Sequence, residues 1–405
     1  MPSAGREYLI ELYATLKKAN FRKIRILPGI SQIIEGNAHL IQTRSIDLQD
    51  LLGRNPVTIN LKQSLSYVRG KRVLVTGAGG SIGSELCRQL LSGGVSRLYI
   101  LGHGENSIYQ IDRELRLLQE EGVGEKANIV PVIGDLKDAN YIDYILRQLK
   151  ADALFHTAAY KHVPMMEENP VAAIENNVLG TDNLINAALK HGIKRFVHIS
   201  TDKAVAPVSV YGASKFICEQ LVLNASKKNG ANFVVVRFGN VLGSRGSIVP
   251  LFQQQIEKGG PVTVTHPEAR RFFMTISEAC SLVLKAGGIG ENGSLYLLDM
   301  GEPVRIRDLA EQLIRFQGYE VESDIKIDYI GLRPGERLDE LLYSTDELPV
   351  ETGHSRILQI KRETPIDINI EKLLSDLRSV CLFDPDFKER YRNTKTLLDI
   401  LKKFL

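Results

Sequence analysis

Short apolar runs alternate with helix-length amphipathic segments through the middle of this 405-residue chain. Runs such as VLVTG and VVVRF are apolar throughout, as strands are when both faces of their sheet are covered. The predicted strands span 72–76, 97–101, 129–133, 153–156, 195–199 and 233–237. The helices predicted between them span 81–93, 105–120, 138–149, 170–190 and 211–228. Strands that alternate with helices in this way indicate βαβ units and a parallel sheet.

The pattern changes on the N-terminal side of this region. Residues 6–19 have helical spacing and residues 24–27 are β-like, but one helix and one strand cannot form a core by themselves. We therefore expect a partial N-terminal unit and an irregular linker over 1–69. The regular α/β region that follows, 70–240, is the predicted main domain.

The pattern also changes on the C-terminal side. Glycine and proline become more frequent after residue 240, and the predicted helices become shorter. This change predicts a smaller α/β lobe over 241–345, some of whose segments return to the main sheet. Helical runs at 370–379 and 394–405 predict a C-terminal helical extension over 346–405.

The composition excludes several function classes. The chain has 51 Lys and Arg against 48 Asp and Glu, a net charge of +3, so nothing favours nucleic-acid binding. It has no run of about 20 apolar residues and no signal peptide, so we expect no membrane contact from this chain itself. The spacing of the cysteines predicts reduced thiols, no metal site and a cytoplasmic location. These cysteines are Cys87, Cys218, Cys280 and Cys381.

A glycine-rich loop joins the first predicted strand of the main domain to its first helix. Its glycines follow the spacing Gly77-x-x-Gly80-x-x-Gly83, with Ser81 and Ile82 opening the helix. Glycines let the backbone approach a pyrophosphate, and a helix N-terminus offers free N–H groups to it. This spacing resembles that of the extended short-chain dehydrogenases. We predict an α/β fold: a Rossmann-type doubly wound parallel sheet that binds a dinucleotide, with the smaller lobe binding the substrate.

The ends of the next strands complete the predicted cofactor site. The second strand ends at His103 without the carboxylate that grips the ribose of NAD, so we favour NADP and keep NAD as the alternative. Asp135, followed by Leu136, ends the third strand, where an Asp of this group meets adenine. The small residues Ala158 and Ala159 follow the fourth strand and let the cofactor approach.

The candidate catalytic residues follow the fifth strand. Tyr211 and Lys215 are four residues apart, so they share one face of a helix. A nearby ammonium and the charge of a nicotinamide would lower the pKa of the tyrosine and make it a base. The run Thr201-Asp202-Lys203 adds a hydroxyl, an acid and a base at the strand end. A surface ion pair is the alternative for Asp202 and Lys203, but their place at a parallel strand end favours function.

Five motifs extend this interpretation over residues 70–345. In chain order they are TGAGGSIGSEL, HTAAYKHVPMMEENP, STDKAVAPVSVYGASK, RFGNVLGSRGSIVP and GLRPGERLDE. Together they resemble the bacterial UDP-N-acetylglucosamine 4,6-dehydratases of surface-polysaccharide and glycan biosynthesis. The resemblance implies a tightly bound, recycled cofactor that takes a hydride from C4 of the sugar and returns it to C6. The implied product is a UDP-4-keto-6-deoxy-N-acetylhexosamine.

The resemblance also implies a role for each catalytic residue. Tyr211 takes the C4-hydroxyl proton while Thr201 holds the C4 oxygen. Lys203 removes the C5 proton, and Asp202 protonates the C6 hydroxyl as it leaves as water. Lys215 binds the nicotinamide ribose and tunes Tyr211.

The same motifs place the substrate UDP-N-acetylglucosamine. Arginines suit its diphosphate and a carboxylate suits its ribose hydroxyls. The adjacent Arg270 leaves open which of two arginines meets the diphosphate, and Lys161, beside His162, either lines the sugar site or has a packing role. The substrate residues implied by the motifs are Lys161, Asn240, Arg245, Ser247, Arg271, Arg333 and Glu336.

Two other functions remain open. A UDP-sugar 4-epimerase shares the fold but needs no Asp–Lys pair, and a non-catalytic NAD(P)-sensing protein needs no intact Tyr–Lys pair. We expect a homo-oligomer. Residues 24–36 resemble the segment before the dehydratase domain in the family's long, membrane-anchored members. We therefore expect a full-length form that is anchored to the cytoplasmic membrane.

Overall fold

The computed structural model describes residues 15–16, 19, 25–26, 44–45, 64–124, 127–228, 230–364, 366 and 368–404. Most of the helix predicted at 6–19 lies outside these residues. Within the β-like run at 24–27, Arg25–Ile26 pairs antiparallel with Arg44–Ser45. The chain divides into two compact units, which are described separately. The larger comprises 58–240, 276–301 and 333–405, and the smaller comprises 1–57, 241–275 and 302–332.

Most of the strands are short. In chain order they are β1 (Arg25–Ile26), β2 (Arg44–Ser45), β3 (Arg72–Thr76), β4 (Arg97–Gly102), β5 (Asn128–Ile133), β6 (Ala153–His156), β7 (Arg195–Ile199), β8 (Asn232–Arg237), β9 (Asn240–Val241), β10 (Val262–Val264), β11 (Arg270–Arg271), β12 (Phe273–Met274), β13 (Ser294–Leu298), β14 (Val304–Arg305), β15 (Ile327–Tyr329), β16 (Glu347–Glu351) and β17 (Ile357–Arg362).

The helices fill the intervals between these strands. They are α1 (Ser81–Ser92), α2 (Glu105–Glu120), α3 (Ala139–Leu149), α4 (Val163–Glu168), α5 (Pro170–Ala173), α6 (Gly180–Lys190), α7 (Val210–Ala225), α8 (Ile248–Glu257), α9 (Ile276–Ile289), α10 (Ile306–Phe316), α11 (Ile370–Cys381) and α12 (Thr394–Phe404). Short 3₁₀ turns lie at Ser66–Val68, Asp202–Ala204 and Pro385–Arg390, and a π-helical segment lies at Ile174–Leu179.

A nine-stranded sheet forms the centre of the larger unit. Its order is β16-β17-β13-β8-β7-β6-β3-β4-β5, and the strands from β13 to β5 are parallel. The chain moves outward from β3 to β5 and then returns to β6 on the other side of β3. This reversal makes the sheet doubly wound, and ligands bind such sheets at the carboxyl ends of the strands beside the reversal. The predicted α/β fold is confirmed.

One predicted helix has a more complex course. The segment 170–190 consists of α5, a π-helical segment and α6. Asn177, in the π-helical segment, accepts a hydrogen bond from the Tyr160 backbone N–H at 2.8 Å and donates one to the Tyr160 carbonyl at 2.9 Å. Such local widening of a helix is common near functional sites, and here it holds the loop that follows β6.

The C-terminal region differs from the prediction of a purely helical extension over 346–405. Strand β17 pairs antiparallel with β13, and β16 pairs antiparallel with β17. The runs LPV and ILQI are shorter than a typical helix, and pairing with β13 covers an edge of the sheet that would otherwise be open. Only α11 and α12 follow the helical prediction.

A buried charge network connects this C-terminal hairpin to the centre of the sheet. Arg237, at the end of β8, is fully buried and pairs at 2.8 Å with both Glu219 of α7 and Glu347 of β16. Ser200 donates a hydrogen bond to Glu219 at 2.6 Å. Burial opposes the charge of Arg237, but the two carboxylates raise the pKa of its guanidinium. Four elements are therefore tied to one cation beneath the end of β7.

The smaller unit has its own core. Strand β10 pairs parallel with β15, and β11 pairs antiparallel with β14. Helices α8 and α10 contribute apolar side chains to this core, among them Val249, Phe252 and Leu313. None of the helices that the structure describes is long and apolar enough to cross a membrane.

Arg237→Met should lower the free energy of unfolding by about 3–5 kcal/mol, because it leaves two buried carboxylates without their cation. Urea unfolding would measure the loss. Arg116→Met is the control, because Arg116 is half exposed and pairs only with Asp112; it should change stability by less than about 1 kcal/mol. Equal losses in the two variants would show that the buried network does not stabilise the fold.

Candidate active site

The glycine loop requires glycine at two of its positions by close packing. Gly77 has a φ of +67°, and a Cβ on it would lie 2.7 Å from Cα of Ala158. A Cβ on Gly83 would lie 2.2 Å from the Gly77 carbonyl oxygen. The Gly80 N–H donates to that same oxygen at 2.8 Å. The loop is thus a tight turn that brings the start of α1 to the end of β3.

The N-terminus of α1 fits an anionic ligand. The helix begins at Ser81, and within the described part of the chain no side chain caps it and no acidic residue lies in its first turn. Helix geometry leaves the N–H groups of Ile82 and Gly83 without intrahelical acceptors. Such N–H groups, together with the helix dipole, favour a phosphate. The residues therefore fit the diphosphate of a dinucleotide.

The other predicted cofactor residues follow neighbouring strands. His103 follows β4, and its ring packs edge-on against Tyr160 at 6.5 Å. Asp135 follows β5 and accepts a hydrogen bond from the Lys137 N–H at 2.9 Å. Leu136 is buried in the core. Because β3 to β6 are parallel neighbours, the structure brings these residues, together with Ala158 and Ala159 after β6, to one edge of the sheet.

The Thr-Asp-Lys run forms a buried cluster after β7. The Thr201 hydroxyl donates to Asp202 Oδ1 at 2.9 Å and accepts from the Lys203 N–H at 3.4 Å. Lys203 Nζ lies 3.0 Å from Asp202 Oδ1, 3.3 Å from Glu340 Oε1 and 3.3 Å from Asn240 Oδ1. Asp202 is fully buried, and its Oδ2 has no hydrogen-bond partner in the described part of the chain.

Helix α7 presents Tyr211 beside this cluster. Ser209 caps the helix by accepting a hydrogen bond from the Gly212 N–H at 3.0 Å. A Cβ on Gly212 would lie 2.2 Å from the Lys203 carbonyl oxygen, so only glycine allows the helix to approach the Lys203 segment so closely. Tyr211, one residue earlier, is 8% exposed.

A second lysine contributes to the electrostatics of Tyr211. Burial raises the pKa of Tyr211 to about 12, while the charge of Lys203 and a hydrogen bond with Thr201 lower it. Tuning of Tyr211 by Lys215 stays a prediction. Lys215 Nζ donates to the Ile199 carbonyl at 2.6 Å and lies 3.0 Å from His198 Nε2. Burial lowers the pKa of the Lys215 ammonium.

The predicted substrate residues are divided between the two units. Asn240, Arg333 and Glu336 belong to the larger unit, where Asn240 contacts Lys203 and the other two pair with each other at 2.5 Å. Lys161 also belongs to the larger unit, and the smaller unit contains the other three, Arg245, Ser247 and Arg271. Arg271 Nη1 donates to the Arg270 carbonyl at 2.6 Å, and the hydroxyl of Ser247 is buried without a hydrogen-bond partner among the described residues.

Lys161 and His162 follow β6. Although both side chains reach solvent, the surrounding protein desolvates them in part, and this lowers the pKa of each. The structure shows no ion pair for Lys161 in its described part. The assignment of Lys161 to the sugar site stays a prediction, with a packing role as the alternative.

Sequence reasoning missed two residues of the site region. Glu340 contacts Lys203, and it is the last residue of the GLRPGERLDE motif. His198 lies beside Lys215 in the interior of β7. The place of Glu340 in that motif could have drawn attention to it, but the sequence does not indicate its contact with Lys203. A histidine within an apolar strand resembles any other core position, and nothing in its spacing marks it.

Comparison with known proteins identifies the family. A family model described as "Polysaccharide biosynthesis protein" matches residues 73–362. The chain belongs to this family. It is 45% identical over 352 residues to the capsular polysaccharide biosynthesis protein CapD of Staphylococcus aureus, covering 87% of this chain and 58% of CapD. The chain thus spans little more than half the length of that relative.

Two further relatives carry more specific names. The chain is 32% identical over 282 residues to a UDP-N-acetylglucosamine 4,6-dehydratase (inverting) of Campylobacter jejuni serotype O:23/36, covering 69% of this chain and 79% of the relative. The crystal structure of DesIV, a dTDP-glucose 4,6-dehydratase of Streptomyces venezuelae with NAD and TYD bound, has a TM-score of 0.59 and 25% identity. It covers 67% of this chain and 88% of DesIV.

These comparisons confirm the resemblance on which the interpretation of the motifs depended. This polysaccharide biosynthesis protein is a member of the extended short-chain dehydrogenase/reductase group. Its named relatives include nucleotide-sugar dehydratases and nucleotide-sugar epimerases. The family is therefore one of enzymes that act on nucleotide sugars, and it contains both reactions that the sequence left open.

Gly77→Ala should destabilise the protein more than Gly192→Ala. Both glycines have a left-handed φ, but a Cβ on Gly192 meets nothing within 4 Å. Each variant loses about 1–2 kcal/mol through its backbone conformation, and the overlap with Ala158 adds about 1–3 kcal/mol in Gly77→Ala. Urea unfolding of both would measure the difference. Equal losses would show that the loop does not need its close approach to Ala158.

Two buried histidines should make the fold sensitive to acid. Burial, with a smaller contribution from Lys215, lowers the pKa of His156 to about 3, and it also holds the pKa of His198 well below its usual value. Below about pH 6.5 the unfolded chain binds protons that the folded chain does not. Stability is therefore full above that pH and falls as the pH decreases towards 3, by about 1.4 kcal/mol per pH unit for each histidine.

The slope of unfolding free energy against pH between these limits is the measurement. His156→Gln should make the slope shallower by the contribution of one proton. An unchanged slope would contradict the burial of a neutral imidazole at position 156.

Proposed function

We propose that this polysaccharide biosynthesis protein is a 4,6-dehydratase of UDP-N-acetylglucosamine. The observation that carries the proposal is the buried Asp202–Lys203 pair beside Tyr211 at the carboxyl end of β7. A 4-epimerase needs proton transfer only at C4, whereas loss of water needs a second base at C5 and an acid at C6. The name of the Campylobacter relative supports both the reaction and the substrate.

The proposed cofactor is a nicotinamide dinucleotide. The glycine loop and the N-terminus of α1 would hold its diphosphate, and the DesIV structure has NAD bound. No carboxylate follows β4 at His103, which supports NADP, with NAD as the alternative. When bound, the nicotinamide supplies a reversible hydride acceptor. The residues described below supply the proton transfers.

Tyr211 would take the proton of the C4 hydroxyl. With a pKa of about 12 the phenol keeps its own proton near neutral pH, and the charge of Lys203 acts in the opposite direction by lowering that pKa. Thr201, which is bonded to Asp202 and to the Lys203 backbone, would hold the C4 oxygen. The charge state of Lys203 thus affects Tyr211 as well as the chemistry at C5.

Asp202 and Lys203 would act as one unit in the elimination. A proton that moves from Lys203 Nζ to Asp202 Oδ1, 3.0 Å away, converts the ion pair into an amine and a carboxylic acid. The amine then takes the C5 proton, and the acid gives its proton to the C6 hydroxyl. The C6–O bond breaks, water leaves, and the ion pair is restored. The unpaired Asp202 Oδ2 is an acceptor that a substrate hydroxyl could satisfy.

In the larger unit, Arg333 is proposed to bind the diphosphate of the substrate, since a guanidinium group pairs well with phosphate. Glu336 would accept hydrogen bonds from the ribose. Arg333 and Glu336 pair with each other in this structure. Binding of the substrate would therefore either replace this ion pair or add the substrate as a further partner of both side chains.

Incubation of the protein with UDP-N-acetylglucosamine and either dinucleotide tests the proposal. We expect a product lighter than the substrate by one water, detected by mass spectrometry. A product of unchanged mass with inverted C4 would identify an epimerase and refute the dehydratase.

Asp202→Asn should reduce product formation by about 10²–10⁴-fold, because an amide cannot donate the acid proton at C6. Lys203→Ala should abolish exchange of the C5 proton with deuterated solvent, as NMR would show, because it lacks the base at C5. Asp143→Asn, at a solvent-accessible ion pair with Lys190, is the control. Full turnover by Asp202→Asn would eliminate the assigned acid.

A further inference from the structure

Lys203 is surrounded by more negative charge than the proposed elimination requires. An ammonium has three N–H donors, and Lys203 Nζ has three oxygens within reach, on Asp202, Glu340 and Asn240. The side chains of Asp202 and Glu340 are 0% and 5% exposed, and that of Lys203 is 19% exposed. One cation is therefore shared between two buried carboxylates, only one of which has a role in the elimination.

The packing of the loop over 333–340 places Glu340 beside Lys203. Arg337 donates to the carbonyls of Val205 and Ala206, the first at 3.2 Å. Gly335 has a φ of +77°, and a Cβ on it would lie 2.9 Å from Cβ of Ser209. The loop therefore packs closely against the segment between Lys203 and Tyr211, and this packing fixes the approach of Glu340.

We propose that Glu340 is a positioning residue for Lys203: it holds the amine in place, and its charge opposes loss of a proton from the ammonium. The consequence for catalysis rests on the proposed dehydratase function. A neutral amine keeps two N–H donors, and Glu340 and Asn240 provide an acceptor for each. The third hydrogen lies towards Asp202 Oδ1, which is the atom that must gain it.

The arrangement thus specifies which proton moves. One N–H bond breaks, one O–H bond forms on Asp202, and the charge of the cluster does not change. Throughout the transfer Nζ stays within reach of Glu340 and Asn240, which hold the amine in place. The negative charge of Glu340 opposes loss of the proton, because an opposite charge at this distance favours the charged form of a lysine.

Competitive labelling with trace acetic anhydride tests the pairing without using activity. The reagent modifies only neutral amines, so the labelling of Lys203 against pH, measured by mass spectrometry, gives the midpoint of its deprotonation. Glu340→Gln keeps an acceptor oxygen but removes the charge, and it should move the midpoint down by about one pH unit. Glu340→Asp keeps the charge and should stay closer to the parent protein.

Asp339→Asn is the matched control. It removes the same charge from the adjacent, exposed position, and the Lys203 midpoint should not move. Glu340→Ala removes both the charge and the acceptor, and it should move the midpoint in the same direction as Glu340→Gln. If Glu340→Gln does not fold, as thermal unfolding would show, Glu340→Ala takes its place in the labelling experiment.

The pH dependence of C5 exchange with deuterated solvent provides the second readout, and in Glu340→Gln its rising limb should move to lower pH with the labelling. An unchanged labelling midpoint in the neutral variants overturns the inference, whatever reaction the protein catalyses. A lowered midpoint without C5 exchange in the parent protein supports the pairing and overturns the dehydratase function instead.

Discussion

The parallel register of the strands from β5 to β13 is the constraint on which the rest of the larger unit depends. Parallel strands have their carboxyl ends at one edge, so the glycine loop after β3, Asp135 after β5 and Lys203 after β7 reach the same edge from distant parts of the sequence. Antiparallel pairing at any of these positions would send a functional residue to the opposite edge. In the nine-stranded sheet, antiparallel pairing occurs at β16 and β17, which carry none of these three features.

Charge is arranged in two layers at this edge. Below the end of β7, Arg237 is enclosed by Glu219 and Glu347 and has no route to solvent. Above it, Lys203 is held by Asp202 and Glu340 with a partly exposed head group. The lower cluster has a cation that cannot lose its proton at any ordinary pH, which suits a structural role. The upper one uses a lysine, whose proton can move.

The regular part of the fold could be predicted from the sequence because it depends on local pattern. The strands at 72–76 and 195–199 are apolar runs covered on both faces, and their observed bounds agree with the prediction. The hairpin of β16 and β17 was missed because its strands are short and gain their stability from pairing with β13. That pairing joins residues about sixty positions apart, and no local window contains it.

The residues of the candidate site likewise fall into those that a local sequence pattern indicates and those that it does not. Tyr211, Asp202 and Lys203 could be chosen from the sequence because they occur within one short segment at a strand end. Glu340 could not, because its role arises only when a loop more than a hundred residues later packs on that segment. The effect of Lys203 on Tyr211 was missed for a related reason. Spacing on a helix shows that Tyr211 and Lys215 share a face, but not which charges from other segments lie beside the phenol.

The position of Glu347 has a consequence for how this protein can change over time. The carboxylate lies in a hairpin strand four places from β7 in the sheet, yet through Arg237, Glu219 and Ser200 it belongs to the support of the strand end that carries Thr201. During evolution, a hairpin at the edge of a sheet can usually change its sequence, shorten or be replaced. Here such a change would disturb the support of Thr201, so the C-terminal hairpin and β7 are expected to evolve together.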